Sequence, residues 1–135
     1  MSDIIEVQMN LLKLKGFTNI YVVDLFEKEY RKLFNKDAHL WNQYQKRLRS
    51  KLKILDIYKE QVIDHLNSFE SLRNSHILVI RQVGKINARI LFAIVVEEKI
   101  VLLHVFEECN TSDYQQAVKT AEERLKVLGD FYETK

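Results

Sequence analysis

The chain predicts an α+β fold: an antiparallel, partly mixed sheet of about four strands, covered by two helices from the N-terminal half and one C-terminal helix, with an extra N-terminal helix. Three observations predict it. From Leu78 to Glu108, β-branched and other apolar residues are dense and are interrupted only at Gly84-Lys85 and Glu97-Glu98-Lys99, which marks three consecutive strands. Residues 41–55 and 114–128 instead repeat their apolar side chains at helical spacing. Strands and helices thus come in runs, as expected of a two-layer domain with helices packed on an antiparallel sheet.

At 135 residues the chain is long enough for one domain (1–135) with a real core, and its 47% hydrophobic and 30% charged content is that of an ordinary globular protein. The single cysteine, Cys109, excludes an internal disulfide and a Cys-based zinc cluster, and no apolar run is long enough to span a bilayer. The N-terminus lacks the basic start of a secretory signal. A cytoplasmic protein with no membrane partner, metal or cofactor is expected. A net charge of +2 does not by itself indicate a nucleic-acid partner, so local clustering of charge matters more.

Taking the elements in order, Ile4, Val7, Leu11 and Leu14 predict an amphipathic helix over 1–16, capped by Ser2 or Asp3 and ended by Gly16. It packs on its own domain or makes a dimer. Residues 19–25 read as a strand, followed by a helix carrying Phe26, Tyr30, Leu33 and Phe34 on one face. Asp37 is the expected N-cap of a longer helix whose buried stripe is Trp41, Tyr44, Leu48, Leu52 and Leu55. Residues 62–75 lose any period and read as a helix end and a loop. Three strands follow, at roughly 77–83, 86–96 and 100–106. Ser112 with Gln115 predicts a capping box for a last helix bearing Tyr114, Ala117, Val118, Ala121, Leu125 and Leu128 and ending at Gly129.

Two groups of residues carry possible chemistry. On the long helix Lys46, Arg49 and Lys53 share a side and, with Lys85 in the strand turn, form a candidate RNA-binding set; the simpler reading is a solvated outer face. Arg81, Arg89 and His104 are set into otherwise apolar strands. His65 and His76 lack partners at metal-ligand spacing and read as surface histidines, and Cys109 as an inert thiol.

The succession Ile80-Arg81, Ala88-Arg89-Ile90-Leu91-Phe92, Val101-Leu102-Leu103-His104-Val105-Phe106, then Tyr114 and Ala117-x-x-x-Ala121-x-x-Arg124-Leu125, resembles the RelE/ParE toxin superfamily and, within it, the HigB-like, phage-associated branch. The resemblance covers residues 18–128 and leaves 1–16 as an added helix. It implies the toxin of a type II toxin–antitoxin system, held by a cognate antitoxin and acting on mRNA at the ribosome as a metal-independent endoribonuclease. There the ribose 2′-hydroxyl attacks the adjacent phosphorus, and the protein orients the attack, stabilises charge and moves protons. The resemblance assigns charge stabilisation to Arg81 and Arg89, whose guanidinium groups grip phosphate oxygens at any working pH. His104 would be an acid, base or orienting group; a packed strand histidine is the plainer alternative.

One departure bears on this. Where the branch carries a Phe followed by paired lysines, this chain has Phe106-Glu107-Glu108, which repels phosphate unless Glu107 serves as a general base, with a raised pKa or a close hydrogen bond to the 2′-hydroxyl. Strand register decides much of the rest. A three-residue turn at 97–99 sets Arg89 opposite Glu107 as an ion pair, whereas a two-residue turn sets Leu91 opposite His104 and puts Arg89 and His104 on one side. A two-residue turn at Gly84-Lys85 separates Arg81 and Arg89 onto opposite faces, and one more loop residue makes them neighbours. Three functions stay open: the RNase toxin; a toxin-like protein without nuclease activity that binds an antitoxin, gyrase or another partner; and a phage-associated interaction module whose strand arginines are paired internally with carboxylates.

Overall fold

The computed structural model describes residues 10–64, 66–72 and 75–129. Their elements are β1 (Leu11–Lys13), β2 (Ile20–Val23), α1 (Phe26–Lys32), α2 (Ala38–Tyr58), β3 (Phe69–Ser71), β4 (Leu78–Gln82), β5 (Ala88–Ile94), β6 (Ile100–Glu107) and α3 (Thr111–Leu128). The strands form one sheet in the order β1-β2-β6-β5-β4-β3. All neighbours are antiparallel except β2 and β6, which run parallel from Ile20 opposite Ile100 to Val22 opposite Leu102. The α+β class and the mixed sheet hold.

The strand count does not: six strands stand where about four are expected. The two extra ones are the short edges, three residues each, too brief to show a period of two in sequence. Within residues 62–75, expected to be helix end and loop, Phe69–Ser71 pairs with Leu78–Ile80 after a 3-10 turn over Lys59–Asp64. At the other edge, Leu11–Lys13 pairs with Tyr21–Val23 and is a strand rather than the end of a helix. Leu11 and Leu14 match a helical stripe, but pairing to β2 wins over local spacing. Gly16, with φ of +92°, turns the chain between β1 and β2 instead of ending a helix. The rest of the expected N-terminal helix, and with it the dimer contact, lies outside the described residues, as does His65.

The layering also differs. Gln82 donates from Nε2 to the Tyr44 carbonyl of α2 at 3.1 Å, whereas Phe106 stacks edge-on to Tyr114 of α3 at 5.1 Å. Register aligns Gln82 with Ala88 and Glu107, and Arg81 with Arg89 and Phe106, so Gln82 and Phe106 project from opposite faces. Helices therefore cover both faces, making three layers rather than two. Every residue of β5 is buried as a result, which explains why ARILFAI reads as one apolar run with a single charge.

α2 starts where expected, with the Asp37 carboxylate accepting from the Leu40 amide at 3.0 Å, and it buries Tyr44, Leu48, Leu52 and Leu55. Trp41 is only half-buried, contacting the Tyr30 and Phe34 rings of the α1 region. At the far end Asp56 accepts from the Thr18 and Asn19 amides, both at 2.8 Å, tying α2 to the start of β2. α3 begins two residues earlier than the Ser112–Gln115 reading: the box is Asn110 and Asp113, whose carboxylate accepts from the Cys109 and Asn110 amides at 2.8 and 2.9 Å. These bonds hold the Asp113 pKa below the usual carboxylate range.

Candidate functional site

Both hairpin turns decide which side chains meet. In β4–β5, Arg81 stands directly opposite Arg89, so the two arginines are cross-strand neighbours on the α3 face. The link is longer than two residues, running from Gln82 to Ala88, and Tyr44 pins it by donating to the Ile86 carbonyl at 2.6 Å and accepting from the Ile86 amide at 3.0 Å. In β5–β6 the Ile94–Ile100 register shifts at a bulge between Leu91 and Phe92, which brings Leu91 opposite His104 and Arg89 opposite Phe106. Arg81, Arg89 and His104 therefore share one side of the sheet. The Arg89–Glu107 opposition does not occur.

Sharing a side does not make them available. Arg89 is 5% exposed; its Nε donates to Glu108 Oε1 at 2.8 Å, and its Nη1 lies 3.3 and 3.2 Å from the Gln82 and Ala88 carbonyls. A buried guanidinium needs a counter-charge, and Glu108 supplies it. Arg81 differs: it is half-buried and, among the described residues, its side chain has neither a hydrogen bond nor an ion pair. Glu107 is exposed and likewise without a side-chain partner among them.

His104 is held in a second network. Its Nδ1 lies 3.0 Å from Glu29 Oε1, and Arg124 grips the same carboxylate twice, at 2.7 Å from Nη1 and 2.6 Å from Nη2. Arg124 Nη1 also donates to the Leu103 carbonyl at 2.8 Å. Burial acts to raise the Glu29 pKa, but the Arg124 and His104 hydrogen bonds and charges outweigh it and hold it at about 2. Glu29 is thus an anion, the proton on Nδ1 points at it, and the 3.4 Å approach of Arg124 to Nδ1 is proximity rather than a bond. That nitrogen is committed to structure.

Tyr114 completes the face, donating to Glu70 Oε1 at 3.1 Å. Burial, then Glu70 and Glu108, push its pKa to about 12 against the opposing charge of Arg89, so it is a neutral phenol at working pH. Glu29, Glu70 and Arg124 have no assigned role in the sequence reading. A signal existed for Arg124: it lies three residues after Ala121 and next to Leu125, on the inward side of α3, where an arginine needs a partner.

The basic set lies elsewhere. α2 packs on the Gln82 face, so Lys46, Arg49 and Lys53 sit across the sheet from Arg81 and Arg89. All three are exposed, and Arg49 rests on the Phe17 ring at 5.0 Å. Lys85 is exposed in the β4–β5 turn. Arg47, outside the predicted set, donates to the Val83 carbonyl at 2.8 Å. His76 and Cys109 are both exposed. Among the described residues no three His, Cys, Asp or Glu side chains are arranged to hold a metal, and no helix is long and apolar enough to cross a membrane. Comparison with family models, curated proteins and solved structures returned no match for this chain.

Proposed function

We propose that the chain is a toxin-like protein of RelE/ParE character that acts by binding a partner protein, antitoxin or target, and does not cleave RNA. The observation that carries this reading is the 2.8 Å ion pair between Arg89 and Glu108. An endoribonuclease of the expected kind needs two strand arginines open to a phosphate, and here one is buried and already neutralised. The Glu29 clamp on His104 commits Nδ1 to structure, so Nε2 is the one nitrogen of that ring left for proton transfer. Glu107, exposed at the end of β6 and aligned with Ala88 on the other face, adds a negative charge to that end of the sheet.

One observation favours the nuclease as a second reading: Arg81 is unpaired among the described residues and stands opposite Arg89, so an incoming phosphate that displaced Glu108 would meet two guanidinium groups. Induced expression separates the two. Growth arrest without new mRNA ends, relieved by a co-expressed partner, is the expected result. New mRNA ends that vanish in both Arg81→Ala and Arg89→Lys variants, each shown to be folded, would overturn the proposal in favour of the nuclease.

A further inference from the structure

On the α2 face, α1, α2, β2 and β6 enclose a half-open groove of about 510 Å³. Its inner wall is apolar: Phe26, Leu48 and Leu52 are buried, and Trp41 stands beside them half-buried. Its rim is polar. Lys46 and Arg49 line it from α2, and both are exposed; Glu27 lines it from α1 and is engaged by Arg31 at 3.4 Å. Among the described residues the Lys46 ammonium has no partner, which leaves a net positive rim above an apolar floor.

We propose that this groove binds a small amphiphile, an apolar body of about ten carbons carrying one carboxylate. Pockets of roughly 300–1,000 Å³ with apolar walls and a few convergent polar groups suit a ligand of that size. The body lies along the apolar wall and covers the half-buried Trp41, and the head meets Lys46 and Arg49, so the anion is selected over an uncharged or cationic head. The groove is too local for a protein partner, whose stable interfaces cover about 800 Å² a side. It also lies across the sheet from Arg81 and Arg89, so its occupancy and the strand-face reading fail independently.

Trp41 is the chain's only tryptophan, so its emission reports the groove directly. The full chain is titrated with decanoate, decanol and decyltrimethylammonium, each below its micelle concentration. The expected result is a saturable Trp41 change with decanoate, at least about tenfold tighter than with the other two. Lys46→Glu combined with Arg49→Glu reverses the preference toward decyltrimethylammonium. Gln45→Phe, which fills the groove and keeps its charges, abolishes the response with circular dichroism unchanged. Three equal responses, no saturation, or an unaltered preference in the charge variant would overturn the proposal. So would a Trp41 change with protein concentration alone, which assigns the groove to a second copy, or on deleting residues 1–9, which assigns it to the chain's own start.

Discussion

Arg81 and Arg89 face each other across β4 and β5, and among the described residues a carboxylate neutralises only Arg89. Two guanidinium groups so placed repel each other, and Glu108 relieves the repulsion for the buried one. Glu108→Gln is therefore expected to destabilise the fold by about 1–3 kcal/mol, less than a fully buried pair because Glu108 remains partly exposed. It should also create an affinity for oligonucleotides that falls steeply with salt. Urea unfolding and filter binding at two salt concentrations measure both. An unchanged midpoint and no gain in binding would mean that Glu108 neutralises nothing.

Glu29 joins α1 to β6 and α3 through His104 and Arg124. Its folded pKa, about 2, lies below the ordinary carboxylate value, so the native state binds the proton more weakly than the unfolded chain does. Stability from this group is then complete above about pH 4.5 and is lost as pH falls toward 2. After allowance for solvent screening it amounts to ~2 kcal/mol. Unfolding of wild type and Glu29→Gln should differ by that amount at pH 6 and converge only once the pH is below about 2. A gap independent of pH would mean that the Glu29 charge contributes nothing.

Much of this arrangement was legible in the chain, and the part that was not has a physical reason. Long periodic elements such as α2 and α3 read correctly because eighteen or more residues repeat a pattern. Asp37 announced its own helix start. The edge strands did not, because three residues cannot show alternation and their existence depends on the neighbour they pair with. Arg81, Arg89 and His104 stood out as polar residues in apolar strands, but the length of the β4–β5 link set the first two opposite each other and a bulge between Leu91 and Phe92 set His104 on their side. Which carboxylate each one meets is a tertiary matter: Glu29 lies 75 residues from His104 and 95 from Arg124.

Gln82 is the second polar group shut into the core, fully buried, and Tyr30 accounts for it. The Tyr30 hydroxyl donates to Gln82 Oε1 at 2.5 Å, while Gln82 donates onward to the Tyr44 carbonyl at 3.1 Å. Tyr30→Phe removes the donor and leaves a buried amide oxygen unsatisfied, at an expected cost of about 1–3 kcal/mol. Adding Gln82→Leu should cost less than the sum of the two single changes, since the pair is then replaced by apolar groups. Additive costs in a double-mutant cycle would show that the two side chains do not interact.

Gly84 is tied to the same helix by a close approach. A Cβ at that position would stand 2.8 Å from Tyr44 Oη, and the hydroxyl cannot retreat, because it holds both the carbonyl and the amide of Ile86. Gly84→Ala is expected to destabilise by about 1–3 kcal/mol through this overpacking. Tyr44→Phe removes the obstructing oxygen along with both bonds to Ile86, so in that background the alanine should cost less than it does alone. Equal costs in the two backgrounds, read from urea midpoints, would place the penalty in the Gly84 backbone rather than in contact with Tyr44. Because this turn sets the register that makes Arg81 and Arg89 neighbours, the same variant should also weaken any anion affinity gained by Glu108→Gln.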